Sequence, residues 1–305
     1  MKKILTIAVG AALAIASLPS LSSENYASNN AGKRAGSQCA DTDRRGQPGA
    51  LRVVGLTDDM QLVCFNENRP GQARAIGFVS GLMRGDMLVG IDYRVQDNKL
   101  YGVSKTGGIY MLDVRTAMAS KVSQLSVALE GTSFGVDFNP AADRLRIVSD
   151  TGQNLRHNVN TGGVTVVDDP LDYPPATPLN AVGPAATSVT GSAYTNNDLS
   201  PTTATTLYAL DAMLDQVALQ SPPNDGTLAA TGKLGIDAGP AVGFDIYSTI
   251  RSGASTGAQA LASVYTPGAM NSLYSINLSS GKATLRGAFP NQYKVIGIAI
   301  PLNQQ

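Results

Sequence analysis

A short signature returns along this chain at a near-constant interval, and that interval constrains the fold more than any other feature. Written as apolar-Gly-x-Asp-apolar, it occurs as Val89-Gly90-Ile91-Asp92-Tyr93, Phe134-Gly135-Val136-Asp137-Phe138 and Val242-Gly243-Phe244-Asp245-Ile246. Two degenerate copies, Thr190-Gly191-Ser192-Ala193-Tyr194 and Ile296-Gly297-Ile298-Ala299-Ile300, carry alanine in place of the aspartate. The five glycines are spaced by 45, 56, 52 and 54 residues. A unit of roughly 50 residues cannot bury its apolar face alone, and a period in this range belongs to the propellers.

The residues between the copies fit that reading. Each complete copy is followed by a second and a third strand-like run, as in Lys99-Leu100-Tyr101-Gly102-Val103 and Gly108-Ile109-Tyr110-Met111-Leu112 after Asp92. Turn residues such as Lys105-Thr106-Gly107 and Asp150-Thr151-Gly152 join the pairs, as hairpins require. The acidic residues are twenty Asp against three Glu, beside 32 Gly and 16 Pro, which marks a turn-rich, helix-poor chain. The stretch from Leu51 to Phe65 matches strands two and three of a unit without strand one. Val295 to Ile300 is a strand one with nothing after it. Joined, they make a fifth unit, which removes the free sheet edges of an open array. The expectation is an all-β chain: a five-bladed β-propeller closed by pairing the C-terminal strand with the N-terminal blade. A β-sandwich is the alternative.

The N-terminus reads as an address. Lys2 and Lys3 precede an apolar run from Ile4 to Ala16, with small residues at cleavage distance. The run is shorter than the roughly 20 residues that span a bilayer. The expected division is a signal peptide over 1–23, a polar leader without apolar periodicity over 24–49, and the propeller over 50–302. The protein is then exported, periplasmic or extracellular, and not membrane-embedded. In an oxidising compartment the two cysteines, Cys39 in the leader and Cys64 in an apolar stretch, are expected to pair. The alternative is two free thiols.

Charge and composition exclude some functions. Lys and Arg number 23 and so do Asp and Glu, so a nucleic-acid partner is not expected. A single histidine, His157, excludes a multi-His metal centre within one chain. Without Trp and with few Glu, sugar platforms and a paired-Glu glycosidase lack their residues.

Two groups of residues carry candidate chemistry. Asp92, Asp137 and Asp245 sit on the strands that line a propeller's channel, where they could ring the axis and hold a hard cation such as Ca²⁺. They could equally accept hydrogen bonds from a neighbouring blade. The densest polar run holds Arg144, Arg146, Asp150, Asn154, Arg156 and His157. Strand alternation puts Arg144 and Arg146 on one face, either as a clamp for a carboxylate or phosphate or as members of a buried Arg–Asp network. Asp168, Asp169 and Asp172 form an acidic turn, read as a solvated loop or a weak cation site. Gly131-Thr132-Ser133-Phe134-Gly135 spells a nucleophile-elbow string, but a strand rather than a helix follows, so a triad of Ser133, Asp150 and His157 is not expected. Arg84-Gly85-Asp86 reads as a turn.

The run Gly135-Val136-Asp137-Phe138-Asn139-Pro140 followed by Asp143 to Arg156 resembles the secreted bacterial family known as domain of unknown function 4394. Ala193-Tyr194-Thr195-Asn196, Thr205 to Tyr208, Pro222 to Leu228 and Gly243-Phe244-Asp245 resemble it too. The resemblance covers about Leu51 to Leu302. It implies an exported propeller-like domain and brings no catalytic residue, activity or cofactor. The leading expectation is a module that binds a small ligand or a protein. The others are a Ca²⁺-dependent hydrolase of lactonase or phosphoesterase type with its metal on the axis, and a structural envelope or matrix protein.

Overall fold

The computed structural model of the chain describes residues 50–175, 183–196, 198–200, 203–252, 254–266 and 268–304. The expected signal peptide and leader lie outside these residues, and so does Cys39. Cys64, its expected partner, is buried. Among the described residues no helix is long and apolar enough to cross a membrane.

The strands fall into five four-stranded antiparallel sheets, the blades of a propeller. Blade I begins with β1 (Arg52–Thr57), β2 (Gln61–Asn66) and β3 (Arg74–Phe78). Blade II is β4 (Leu88–Arg94), β5 (Lys99–Ser104), β6 (Gly108–Leu112) and β7 (Ala119–Gln124). Blade III is β8 (Phe134–Asn139), β9 (Arg144–Ser149), β10 (Asn154–His157) and β11 (Thr165–Val167). Blade IV is β12 (Val189–Tyr194), β13 (Leu207–Asp211), β14 (Gln216–Gln220) and β15 (Leu228–Lys233). Blade V is β16 (Val242–Arg251), β17 (Ala254–Val264), β18 (Ser272–Ile276) and β19 (Ala283–Ala288). The last strand, β20 (Val295–Ala299), returns to blade I and pairs with β1 through Val54↔Ala299 and Gly55↔Ile298. This is the closure the two termini implied.

Burial grades outward along each blade. The innermost strand β12 is buried throughout, whereas the outer strand β7 is mostly exposed. Apolar side chains fill the spaces between neighbouring blades, and each of the five junctions has its own buried cluster. The smallest lies between blades III and IV, around Val148, Leu171, Val189 and Ala209. There, polar side chains occupy part of the space that apolar ones fill elsewhere.

The repeated glycine has a steric reason. The inner strands β4, β8, β12, β16 and β20 pack side by side around the axis, and each turns its glycine toward the next blade. A Cβ on Gly135 would lie 2.7 Å from the Ser192 nitrogen and 2.8 Å from the Gly191 carbonyl carbon. On Gly243 it would lie 2.7 Å from the backbone of both Gly297 and Ile298. Backbone cannot step aside as a flexible side chain can, so even alanine overpacks the hub. Gly135→Ala is expected to cost about 1–3 kcal/mol in urea unfolding. Gly257→Ala, where nothing lies within 4 Å, should change little. Equal effects of the two would refute the close-approach reading.

Candidate functional site

The repeat aspartates follow their glycines by two residues and so face the same way, toward the next blade. Each inner strand offers a backbone N–H at the residue after the Asp position. Asp92 Oδ2 accepts the Phe138 N–H at 2.7 Å, Asp137 Oδ1 the Tyr194 N–H at 3.0 Å, and Asp245 Oδ2 the Ile300 N–H at 2.6 Å. Each carboxylate therefore latches its blade to the following one. The alanine copies remove two latches, ahead of Ile246 and Tyr93. Those N–H groups are taken by the aspartates beside them: Ile246 donates to Asp245 Oδ1 at 2.6 Å, and Tyr93 to Asp92. Three carboxylates thus serve five N–H groups, which accounts for three aspartates in five copies.

The same geometry crowds three buried carboxyls together, with one oxygen of each within 4.8 Å of the others. Among the described residues no salt bridge reaches any of them. Burial, reinforced by the charge of Asp245, holds the Asp92 carboxyl well above the usual carboxylate range. Burial, then Asp92 and Asp245, does the same to Asp137. Burial pushes Asp245 up to about 7. The space beside them is small and is walled also by Tyr93, Phe138 and Leu302. Both oxygens of Asp245 are committed to backbone N–H groups, so the trio is an incomplete shell for Ca²⁺, which takes about six to eight oxygens.

The second site is a cleft between blades III and IV. On β9 and β10, Arg146 pairs in register with Arg156 and Val148 with Asn154. Arg144, Arg146, Asn154 and Arg156 therefore share one face. Arg146 is buried, 1% exposed, and is the hub of a network. Its Nη1 donates to Asp168 Oδ2 at 2.6 Å and to Asn154 Oδ1 at 2.7 Å, its Nη2 to Asn224 Oδ1 at 2.9 Å, and its Nε to the Tyr194 hydroxyl at 3.3 Å. Arg156 grips the same Asp168 with Nε and Nη2 at 2.6 and 2.8 Å. Arg144 bonds only carbonyls of its own turn, Ala142 and Asp143. Three guanidiniums thus stand against one carboxylate around a space of about 220 Å³, walled also by Asn139, Tyr194, Pro223 and Asn224. Tyr194 belongs to both sites: its N–H meets Asp137 and its hydroxyl meets Arg146.

The rest of the polar run goes elsewhere. Asn154 supports Arg146 from behind. Asp150 staples a turn, accepting the Thr132 N–H and hydroxyl at 2.9 and 2.5 Å. His157 lies on the opposite face of blade III with Leu145 and Leu155, bonded to Ser123 at 2.7 Å and Thr165 at 3.0 Å. Burial and the nearby Arg144 charge hold its pKa below the ordinary value. No triad with Ser133 exists. Asp86 of the Arg-Gly-Asp string caps the Thr106 turn. The acidic turn needs correction: Asp168 is not solvated but buried beneath two arginines, because it follows β11 directly and bonds back to Asn154 on the face that carries Arg146 and Arg156. Sequence reasoning missed Asp168, Tyr194, Asn224 and Asn139 as members of the site. Tyr194 and Asn224 come from the next blade, and only the inter-blade packing brings them to Arg146.

A family model described as Domain of unknown function (DUF4394) matches residues 61–299. No curated protein matches the sequence. Among solved structures, a chain of the nidogen/laminin complex is 10% identical with a TM-score of 0.46, covering 84% of this chain and 100% of that one. A Bacteroides thetaiotaomicron protein of unknown function is 9% identical with a TM-score of 0.44, covering 69% of this chain and 53% of its own. An auxiliary nutrient binding protein from Bacteroides ovatus is 15% identical with a TM-score of 0.37, covering 61% of this chain and 48% of its own. The chain thus spans about half the length of the two Bacteroides proteins.

Proposed function

Since the chain belongs to the DUF4394 family, a domain of unknown function, its own geometry has to carry the reading, and we propose that it is an exported ligand-binding module. Its ligand site is the cleft between blades III and IV. The supporting observation is the charge of that cleft, three arginines of which two are ion-paired to Asp168. The hub aspartates serve a different purpose in this reading. They hold the blades together rather than bind a substrate, each carboxylate accepting the backbone N–H of the following blade.

The test is a thermal-shift screen of the wild type and of an Arg144→Gln/Arg156→Gln double variant against a panel of small acids, sugars and amino acids. A ligand that binds only the folded chain raises the melting temperature with concentration. The expected result is at least one compound that shifts the wild type and not the double variant. Shifts that survive in the double variant would place binding elsewhere and sink the assignment of the cleft.

A further inference from the structure

The lining of the cleft has a chemical asymmetry. Each acceptor on its side chains is already used inside the protein. Asn139 Oδ1 takes the Ala141 and Ala142 N–H groups, both at 3.0 Å. Asn224 Oδ1 faces Arg146 Nη2, and arginine has nothing but donors, which fixes the amide's orientation. The Tyr194 oxygen takes Arg146 Nε, and both oxygens of Asp168 are taken by Arg146 and Arg156. What remains toward the open space is donors. They are Nε and Nη2 of Arg144, Nη1 of Arg156, the Tyr194 hydroxyl proton, and the side-chain amides of Asn224 and Asn139.

We infer that the cleft is a binding site for an oxyanion group, a phosphate or a carboxylate, on a small molecule. This rests on the cleft being the ligand site. A neutral sugar needs acceptors as well as donors from its pocket, and the side-chain acceptors of the cleft already face donors of the protein. An anion uses donors alone, and charge-assisted bonds from guanidinium to oxyanion are the stronger kind. The network beneath is the reason the donors point outward. Arg146 is too buried to reach a ligand freely, and it orients Tyr194 and Asn224 by consuming their acceptors. Arg144 and Arg156 bring the charge, Tyr194 and Asn224 the opposite wall.

The experiment is isothermal titration of the full chain with inorganic phosphate, with succinate, and with glucose as the neutral control, at low and at raised sodium chloride. Three variants accompany it. Arg144→Gln disturbs only its own turn. Tyr194→Phe removes one donor together with the acceptor of Arg146 Nε. Asn224→Asp keeps an acceptor for Arg146, so the fold is kept, yet turns an outward donor into a negative charge. Circular dichroism melts verify folding of each. The expected result is binding of phosphate or succinate that weakens with salt. Affinity falls about tenfold or more in Arg144→Gln, several-fold in Tyr194→Phe and beyond detection in Asn224→Asp. Phosphate bound over succinate assigns the tetrahedral group, and the reverse assigns the planar one. Glucose binding that the variants weaken, with neither anion bound, overturns the oxyanion inference while leaving the cleft as the ligand site. Anion binding unchanged in folded Asn224→Asp overturns both.

Discussion

Arg146→Met is expected to be among the most destabilising substitutions in this protein, lowering unfolding free energy by about 3–5 kcal/mol, the range for breaking a buried ion pair from one side. The loss is larger than that of one bond. Asp168 is left with Arg156, which is itself partly exposed, and Asn154 and Asn224 lose the donor that faces their carbonyl oxygens. The junction of blades III and IV also has the smallest apolar cluster, so the network and the Asp137 latch carry more of it than polar contacts do elsewhere. Arg144→Gln, two residues away on the same strand face, is expected to change stability by no more than about 0.5 kcal/mol, as at a surface site. Urea unfolding of both variants checks the contrast. If Arg146→Met unfolds at the same urea concentration as Arg144→Gln, the network is not what holds the two blades together. Asp168→Asn, which weakens both ion pairs but keeps an acceptor, should fall between them.

Stability should also rise as pH falls through the neutral range, the reverse of an ordinary salt-bridged protein. The hub carboxyls have folded pKa values raised above the unfolded ones, so the folded chain holds protons that the unfolded chain releases. Their contribution is complete below the ordinary carboxylate pKa and is lost as pH climbs through the folded values. For Asp245, raised from 3.8 to about 7, this is on the order of 4 kcal/mol at ~1.4 kcal/mol per tenfold. Asp92 and Asp137 act in the same direction. An opposing group sets the lower limit. The Arg94 guanidinium on Asp143 holds that carboxyl below its usual range, so its contribution is lost only as pH falls through that lowered value. Maximum stability is therefore expected in mild acid. Urea midpoints at about pH 5 and about pH 8, with chelator present, read this directly. A triple Asp92/Asp137/Asp245→Asn variant should flatten the slope, and it should lower stability at the acid end only modestly, because the amide oxygens can still accept the blade N–H groups. A wild type equally stable at both pH values would show that the trio ionises without cost. Calcium that raises stability at the higher pH in the wild type and not in the triple variant would place a cation on the axis and overturn the reading of the aspartates as latches alone.

The sequence carried the architecture because a propeller repeats its constraint. Gly90, Gly135, Gly191 and Gly243 each pack tightly against the following blade, so a similar steric demand recurs along the chain at a readable period. Strand alternation likewise placed Arg144 and Arg146 on a common face, but it left His157 in the same candidate group, and only the register of β10 against β9 puts it on the other face. The cleft is different. Arg146 and Asn224 lie 78 residues apart in the chain. No local pattern distinguishes a loop asparagine that turns a corner from one that completes a neighbouring blade's network. Asp168 shows the same limit: a run of aspartates before a proline reads as solvated, and its burial follows from the register of β11 against β10.

By itself the sequence determined that the chain is all-β, that its unit repeats five times, and that its ends belong to one blade, because periodicity and alternation are properties of the chain alone. Tertiary structure alone decided what the repeated and clustered polar residues do. Whether an aspartate on an inner strand meets a cation or a backbone N–H depends on the adjacent blade. Whether three arginines form a salt-bridged core or an open anion cleft depends on how many carboxylates the fold brings to them. It brings Asp168, shared by Arg146 and Arg156, while Asp143 beside Arg144 is ion-paired to Arg94 of blade II.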